Sequence, residues 1–441
     1  MYVAPPPSAQ LARAEDFLRV LDVVQRNPLQ RYLHWDSLRH RTPPDRLTHE
    51  QWWFGVRLLR ERRLLSLTTP DNEPFTYGVP DEAQRILHFV DQRCAGEVAM
   101  DEVVIDDEQA RQRYLVSSLM EEAIRSSQLE GASTSRQVAK ELLRSGREPR
   151  DRGEQMILNN YRALTFMREE AGERLTPELV LALQRILTEG TLDDPDGAGR
   201  LQQPDEERVV VVDIDRGTVL HVPPPAAELP ERLQRLCDFA NAPDDGERFV
   251  HPVVRAILLH FWLAYDHPFV DGNGRTARAL FYWFMRTRGY WLVEFLSISR
   301  ILRNAPRDYT RAFLYTETDG GDTTYFLLHQ LRAIERAVHE LHAYLQRKMR
   351  EVRDVESLIA ADASVNSRQL TLLSDALRHP DRVYTFGAHA REHRVTHETA
   401  RTDLTQLHRR GLLERVRHGR GYRFSVPRDL ERRLRTLGAA A

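Results

Sequence analysis

Apolar residues recur at helical spacing along most of this 441-residue chain. Continuous apolar runs at Val253–Tyr265 and Ala279–Phe284 predict two core helices, and a polar stretch joins them. A longer amphipathic pattern extends from Asp101 to Gly131, where the glycine is typical of a helix end. Strand-like alternation occurs in short segments only. The pattern therefore predicts a mainly α-helical protein.

The polar joint between the two core helices, residues 267–278, reads HPFVDGNGRTAR. Its Gly272–Gly274 stretch permits a turn whose backbone N–H groups point one way, and a helix that begins there adds the positive end of its dipole. Arg275 and Arg278 share a face of the first helical turn and can contact phosphate oxygens. The joint therefore predicts an anion site.

Two more side chains of the joint suit metal and proton chemistry. Asp271 offers the hard oxygen ligand that Mg²⁺ prefers when phosphates supply the others. His267 has the ordinary pKa that suits a general base near neutral pH. Taken singly, each residue has a simpler explanation as a turn, loop or ion-pair residue. Their combination within twelve positions favours a phosphate-handling site.

The glycines also admit a second interpretation. Residues 272–277, GNGRTA, fit the dinucleotide fingerprint GxGxxA, and Glu294 lies about twenty residues further on, where a ribose-binding acid is expected. That fingerprint requires a short strand directly before the glycines. Here the preceding apolar run is too long for one strand, and residues 267–271 separate it from the glycines. The dinucleotide interpretation is therefore disfavoured.

The whole 267–278 joint resembles the signature of the Fic (filamentation induced by cyclic AMP) family, HxFx(D/E)GNGRxxR, with every fixed position filled. The resemblance implies a helical fold in which a hydroxyl group of a target protein attacks the α-phosphate of ATP, with Mg²⁺ at the phosphates. AMP would stay on the target and pyrophosphate would leave. Outside the signature, Gln184 stands where the family commonly has histidine, which weakens expectations about local packing only.

The resemblance also implies a role for each residue of the joint. His267 would take the proton of the target hydroxyl, Phe269 would anchor the loop in the core, and Asp271 would hold Mg²⁺. Tyr309, further along the chain, is expected to line the adenine pocket. The implied nucleotide contacts come from Gly272, Asn273, Gly274, Arg275 (at the β-phosphate), Thr276, Ala277 and Arg278 (at the γ-phosphate).

A helix upstream of the joint carries a second motif, SSQLEG at residues 126–131. Ser126 and Glu130 are one turn apart and share a face, which alone is typical of a solvent-exposed surface. Together with the downstream signature, the motif resembles the family's inhibitory helix, (S/T)xxxE(G/N). The resemblance implies that Glu130 pairs with Arg278 in place of the γ-phosphate. The helix at residues 115–131 would then keep the enzyme self-inhibited.

Two short alternating segments, Val209–Val212 and Val219–Val222, flank a polar stretch and predict a β-hairpin that ends at three prolines. The plain interpretation is an edge hairpin with proline stops. Its position also resembles the family's flap, here residues 208–225. That resemblance implies that an extended segment of the target protein would pair with the hairpin as an added strand.

The final segment, residues 361–428, has an organisation of its own. Apolar spacing predicts helices at Leu370–Leu377, Ala388–His393 and Thr396–Gly411, and a hairpin around His418–Gly421. This order resembles a winged helix-turn-helix, which implies binding in a DNA major groove. The alternative is a winged helix used for protein contacts or dimerisation. The residues expected at DNA are Thr396, His397, Thr399 and Arg401 on the third helix and Arg417 and Arg420 on the wing.

Composition bounds the remaining classes of protein. A formal net charge of −2 gives no global attraction to nucleic acid, so a basic surface must be local. Aromatic and basic residues alternate in residues 1–100, which favours a small packing domain over nucleic-acid stacking. We expect a cytoplasmic protein without a membrane partner, because no apolar run spans a bilayer and the start lacks a signal-peptide pattern. Cys94 and Cys237 are expected to be core residues.

The sequence thus predicts an N-terminal helical and aromatic region (1–100), a Fic domain (101–350) and a winged helix-turn-helix (361–428). The main functional hypothesis is a self-inhibited protein adenylyltransferase that uses ATP and Mg²⁺ and modifies a Tyr, Ser or Thr hydroxyl of a protein. One alternative is a DNA-bound regulator whose Fic core only senses nucleotide. Another is an enzyme on the same fold that removes AMP or transfers a different phosphate-linked group. The target and the oligomeric state, with a homodimer as one option, stay open.

Overall fold

The computed structural model describes residues 4–6, 14–95, 108–169, 172, 174–208, 210–213, 218–244, 249–361, 365–378, 382–418, 421–427 and 429–438. The chain forms two compact units, one from residues 1–102 and 113–339 and the other from residues 103–112 and 340–441. The N-terminal region predicted as a separate part therefore belongs to the same compact unit as the core helices.

The N-terminal region combines helices with a hairpin that the sequence analysis did not predict. Thr48 caps the third helix, because its hydroxyl accepts from the backbone N–H of Gln51 at 3.2 Å. The hairpin buries Leu65 and Leu67, whereas Leu64 is 71% exposed. This alternation is too short to stand out from the helical pattern before it. The elements are α1 (Ala14–Arg26), α2 (Trp35–Leu38), α3 (His49–Leu58), β1 (Arg63–Thr68), β2 (Pro74–Tyr77) and α4 (Asp81–Cys94).

The core of the first unit is a set of packed helices around the predicted pair of apolar runs. The first run forms a helix at Pro252–Asp266 that is buried on all sides, as expected for the centre of a helical core. Thr176 caps another of these helices and Pro177 occupies its first turn. The helices are α5 (Glu108–Leu129), α6 (Arg136–Ser145), α7 (Arg152–Glu169), α8 (Pro177–Thr188), α9 (Leu229–Asn241), α10 (Pro252–Asp266), α11 (Asn273–Thr287), α12 (Ile298–Asn304), α13 (Pro306–Thr318) and α14 (Thr324–Ala361).

The predicted small β-hairpin is confirmed. Its strands, β3 (Val211–Asp213) and β4 (Thr218–His221), pair antiparallel with Val211 opposite His221 and Asp213 opposite Thr218. Val209 and the polar tip at residues 214–217 lie outside the described residues. Val219 is 56% exposed and Val222 is 61% exposed. The hairpin therefore presents apolar side chains to solvent.

The second unit has a core of its own, built on Leu373, Leu404, Leu407 and Phe424. Its three-stranded sheet has the order β5-β7-β6. The three helices and the hairpin expected in this segment are present, and their assignment as a winged helix-turn-helix stays a prediction. The elements are α15 (Ser367–Arg378), β5 (Val383–Tyr384), α16 (Phe386–His393), α17 (His397–Arg409), β6 (Glu414–His418), β7 (Gly421–Ser425) and α18 (Leu430–Gly438).

Three further observations bear on the sequence analysis. The charged stretch Arg347–Asp354 has a composition that also suits a linker, but it is helical because α14 continues through it to Ala361. Cys94 and Cys237 are buried and free. Among the described helices, none combines the length and the apolar character that a membrane span requires.

Candidate active site

The loop between α10 and α11 places the residues of the joint. His267 ends α10 in the left-handed region, with φ +46° and ψ +52°, and its N–H donates to the Leu263 carbonyl at 3.0 Å. A non-glycine residue held in this region stores strain, which is typical of functional sites. Gly272 has φ +85° directly before α11 begins. Because a helix and not a strand precedes the glycines, the dinucleotide-binding interpretation does not hold.

Asn273 closes this loop with its side-chain amide. Its Nδ2 donates to the Phe269 carbonyl at 2.8 Å, and its Oδ1 accepts from the Phe269 N–H at 2.9 Å. The same Nδ2 lies 3.3 Å from Nδ1 of His267. The side chain of Phe269 is fully buried. Asn273 therefore fixes both the loop and the imidazole, a role that the nucleotide-binding expectation for this residue did not include.

His267 is held as a neutral imidazole. Burial lowers its pKa to about 4, and the nearby carboxylate of Glu130 offsets part of that shift. A histidine with this pKa is unprotonated throughout the physiological range. The side chain can therefore accept a proton without first losing one.

The β-hairpin is tied to the His267 loop by residues that the sequence analysis did not identify. Nη2 of Arg208 donates to the carbonyls of Asp266 at 2.7 Å and His267 at 3.1 Å. His221 of β4 lies with Nε2 2.7 Å from the Tyr265 carbonyl. These partners are far apart in the chain, and main-chain contacts leave no residue-type signal, so the sequence offered no sign of them.

Gln184, the departure from the family pattern, supports the same loop from α8. It is fully buried, and its Nε2 donates to the Asp271 carbonyl at 3.1 Å. Its Oε1 accepts from the Gly199 N–H. The amide thus satisfies two backbone groups and positions the residue that carries the candidate metal ligand.

The carboxylate of Asp271 is 34% exposed and has cationic neighbours. Its Oδ2 lies 3.2 Å from Nη2 of Arg275 and 3.8 Å from Nη2 of Arg152. Among the described residues there is no group of three or more His, Cys, Asp or Glu side chains suited to hold a metal ion. A single, partly exposed carboxylate fits Mg²⁺ that takes its other ligands from water and phosphates.

The first turn of α11 is mostly buried. Arg275 is fully buried, and its Nη1 donates to the Leu187 carbonyl of α8 at 2.8 Å. Thr276 uses its hydroxyl on the Gly272 carbonyl at 2.8 Å. Ala277 is also fully buried. The side chains of Thr276 and Ala277, both expected at the nucleotide, therefore face the protein core, and Arg275 is bound to backbone in this structure.

Arg278 meets the upstream motif. Its Nη2 lies 2.8 Å from Oε1 of Glu130, and its Nε donates to the Ser126 hydroxyl at 2.8 Å. The guanidinium is 4% exposed, whereas the Glu130 side chain is 31% exposed. Nη1 of Arg278 is buried without a hydrogen-bond partner. A buried cation with an unused donor is a suitable partner for a further anion.

The carboxylate of Glu130 also lies against the start of α11. A Cβ atom at position 274 would collide with Oε1 of Glu130 and would lie 3.0 Å from Nη1 of Arg278. Glycine at this position therefore allows an anionic oxygen to approach the helix start closely. Glu130 occupies the position where the sequence predicts an anion.

Glu122 fixes the helix that carries Glu130. Its buried carboxylate accepts from the Ser297 hydroxyl at 3.0 Å and from the Ser299 N–H at 3.1 Å, at the start of α12. Burial raises the pKa of this carboxyl group, and these hydrogen bonds oppose the shift. Helix α5 is thus attached to the core two turns before Glu130.

Tyr309, expected at the adenine, lies on the side of α13 that faces α10. Its hydroxyl is 2.9 Å from Nε2 of His260, and its ring packs near those of Phe313 and Phe326. Burial raises the pKa of Tyr309 to about 12. The phenol is therefore neutral and hydrogen-bonded at physiological pH.

In the second unit, the residues expected at DNA have mixed surroundings. The Thr396 hydroxyl caps α17 by accepting from the Thr399 N–H at 3.2 Å, and the ring of His397 contacts that of Phe386. Arg401 is 63% exposed. Arg417 is exposed, and Arg420 lies outside the described residues. Of the predicted contacts in the described part of the chain, Thr396, His397, Arg401 and Arg417 are exposed, and Thr399 is partly buried.

Part of this core is similar to a known protein family and to known proteins. Residues 174–285 match the Fic/DOC family. The chain is similar to the protein adenylyltransferase Fic of Drosophila willistoni, with 41% identity over 70 residues, 16% of this chain and 14% of that protein. It is also similar to the protein adenylyltransferase Fic of Nematostella vectensis, with 32% identity over 118 residues, 27% of this chain and 25% of that protein.

These similarities cover a limited part of the relatives, since the chain spans 14% and 25% of the two curated proteins. Among solved structures, a Fic family protein from Desulfovibrio desulfuricans G20 is similar, with 17% identity and a TM-score of 0.49. That match covers 79% of this chain and 96% of the other.

Proposed function

We propose that this protein is an adenylyltransferase that moves AMP from ATP to a hydroxyl side chain of a target protein and is inhibited by its own Glu130. The observation that carries the proposal is the pairing of Glu130 with Arg278 directly over Gly274, at 2.8 Å, in a loop that also holds a neutral His267. A carboxylate stands where a phosphate oxygen fits by charge and size. The names of the curated relatives support the same reaction.

The proposed reaction is an in-line displacement at the α-phosphorus of ATP. His267 takes the proton of the target hydroxyl, whose oxygen forms the new bond to phosphorus while the bond to pyrophosphate breaks. Backbone N–H groups at Gly272–Gly274 and the start of α11 stabilise the phosphate charge. Asp271 would hold Mg²⁺, which neutralises phosphate charge when it is bound. Catalysis then rests on positioning and on fixed charges.

Inhibition follows from competition for Arg278. The guanidinium is buried and already neutralised by Glu130, so the γ-phosphate of ATP meets a negative carboxylate in place of a free cation. ATP would then bind with its phosphates displaced from the in-line geometry. Movement of Glu130 away from Arg278 would restore the contact.

The hairpin is the proposed target-binding element. Its exposed Val219 and Val222 are available to an extended segment, and strand addition would supply main-chain hydrogen bonds. Because Arg208 and His221 attach the hairpin to the His267 loop, a segment bound there would be held in register with the imidazole.

The product of the reaction tests the proposal. The protein, with Glu130 replaced by glycine, is incubated with ATP that carries label in either the α- or the γ-phosphate, in the presence of Mg²⁺ and a lysate. We expect protein-bound label from the α-phosphate only, and a mass increase of one AMP on the modified peptide. Label from the γ-phosphate, another adduct, or loss of AMP from a premodified protein would favour the alternative reactions on this fold.

The pH dependence of this reaction should reflect the low pKa of His267. The base must be unprotonated, and the Glu130→Gly variant lacks the carboxylate that raises the His267 pKa, so its kcat/KM is expected to stay level from pH 8 down to about 5. An ordinary imidazole would lose activity below about pH 6.5. The free energy of unfolding depends on pH in the same direction. The contribution of neutral His267 to it is present above about pH 6.5 and is lost as the pH falls toward 4. Initial rates and thermal unfolding across this range measure both effects, and a midpoint near 6.5 in kcat/KM would contradict the assignment.

DNA binding by the second unit is a separate proposal, which the exposed guanidiniums of Arg401 on α17 and Arg417 on β6 favour. Replacing both with alanine is expected to weaken duplex binding and to lower the salt dependence by about one counterion per arginine. Arg432→Ala removes an exposed arginine of α18 that is not among the expected DNA contacts, and it is the control. Equal affinity and equal salt slope for the three proteins would favour a protein-contact role for this unit.

A further inference from the structure

The first unit contains a large cavity outside the joint at residues 267–278. Its volume is about 550 Å³, within the range of sites for small ligands. It lies between α13 and α14, and residues 31–37 of the N-terminal region line a third side. Arg311 and Tyr315 of α13 and Arg332 and Arg336 of α14 recur at one-turn spacing, so one face of each helix borders the cavity. We call it the tyrosine cavity, after Tyr32, Tyr315 and Tyr325 in its lining.

The tyrosine cavity is distinct from the candidate active site. Tyr309 and Phe313 lie on the other side of α13, where they contact His260 and Phe261 of α10. No residue of the 267–278 joint is part of the cavity lining. Helix α13 therefore separates the two, and a ligand in the cavity would not contact the phosphates of ATP at the joint.

Buried charges hold the tyrosines in place. The Tyr32 hydroxyl donates to Asp322 at 2.5 Å, and the Tyr325 hydroxyl donates to Asp319 at 2.7 Å. The guanidinium of Arg60 lies 3.9 Å from the centre of the Tyr32 ring and 3.0 Å from Asp319. Burying such a group of ions costs several kcal/mol before their mutual attraction is counted. The phenols of Tyr32 and Tyr325 are therefore held in fixed positions in the cavity lining.

The edge of the tyrosine cavity carries excess positive charge. Four arginines line it, against the two carboxylates of Glu82 and Asp308. Arg332 is bound to Glu82 through two hydrogen bonds of 2.6 and 2.7 Å. Arg31 and Arg336 are both exposed, and the charge of Arg31 helps to lower the pKa of Glu82. Burial lowers the pKa of His329 to about 4, a shift that the Asp308 carboxylate opposes and the charges of Arg332 and Arg336 support.

We infer that the tyrosine cavity binds a small phosphorylated molecule with a planar ring, of about the size of a nucleoside monophosphate. The guanidiniums of Arg31 and Arg336 bind the phosphate, and the aromatic lining receives the ring. The volume of about 550 Å³ accommodates both parts together. This site does not depend on the proposed transfer reaction.

Photolabelling of the full-length protein tests the inference. With 8-azido-AMP as probe, peptide mapping is expected to find label on segments that contain Tyr32, Tyr315 or Tyr325. In the Arg31→Ala/Arg336→Ala variant this label should fall at least roughly tenfold, because each lost charge-assisted hydrogen bond is worth about tenfold in affinity. Arg144→Ala, at an exposed arginine of α6 outside the cavity, should keep full labelling.

Two competitions separate the chemical parts of the ligand. AMP should protect these segments, whereas adenosine should need at least about tenfold higher concentration, because it lacks the phosphate. If adenosine protects as well as AMP does, the phosphate is not recognised. If pyrophosphate protects as well as AMP does, the ring is not recognised. Label confined to peptides of residues 267–278, or unchanged in the double variant, would overturn the site itself. Thermal unfolding without ligand verifies that the double variant is folded, as expected for two exposed side chains.

Discussion

Replacing Glu130 with glycine is expected to raise the rate of AMP transfer roughly 10- to 100-fold, because the substitution removes a charge-assisted hydrogen bond of about 1.5–3 kcal/mol that ATP must otherwise displace. The Glu130 carboxylate is 2.8 Å from Nη2 of Arg278 and lies over Gly274. Its removal frees the guanidinium for the γ-phosphate. The measurement is the initial rate of incorporation of α-phosphate label at saturating ATP.

A neutral isostere separates charge from shape in this experiment. Glu130→Gln keeps the side-chain volume but loses the ionic attraction, so it should give a rate between the wild type and the glycine variant. Binding of ATP itself is expected to change less than the rate, because the phosphates are repositioned and the nucleotide is not excluded. Equal rates for wild type and Glu130→Gly would refute inhibition by this residue.

Replacing His267 with alanine in the Glu130→Gly protein is expected to lower AMP transfer by roughly 10²- to 10⁴-fold, the usual contribution of a general base. The imidazole is buried, neutral and held 3.3 Å from the amide of Asn273, so no solvent-exposed group replaces it readily. Initial rates in the double and single variants measure the loss. ATP affinity should remain within a few-fold, since the proposed nucleotide contacts come from other residues.

An exposed imidazole of the same unit provides the control for this variant. His40→Ala removes a solvent-exposed histidine and is expected to leave the rate unchanged. Retention of more than about a tenth of the activity after His267→Ala would show that another group accepts the proton, and the mechanism proposed here would then be wrong.

The helical core and the joint could be predicted because their signals are local. The apolar run Val253–Tyr265 is longer than a strand, and fixed residue types recur at fixed spacing in residues 267–278. The pairing of Ser126 and Glu130 on one face is also a local property. Contact with Arg278 was an implication of family resemblance, since nothing in the spacing brings residues so far apart in sequence together.

The interactions that hold the loop at residues 267–272 could not be predicted, because they are tertiary contacts. Arg208 binds main-chain carbonyls next to His267, and main-chain acceptors have no residue type that a sequence pattern can show. The tyrosine cavity likewise combines residues from three distant segments. The helical structure of Arg347–Asp354 could not be predicted from its composition, because dense charge is compatible with an exposed helix as well as with a linker.

The attachment of Glu122 limits how Glu130 can move away from Arg278 in the proposed activation. The buried Glu122 carboxylate ties α5 to the start of α12 two turns before Glu130, and the Ser127 hydroxyl ties the last turn of α5 to the Met156 carbonyl at 3.2 Å. In the proposed activation, Glu130 would then move through a backbone change confined to the residues between Ser127 and Gly131, where Gly131 has φ +96°. A partner protein that binds this short segment would then separate Glu130 from Arg278 without a rearrangement of the helical core.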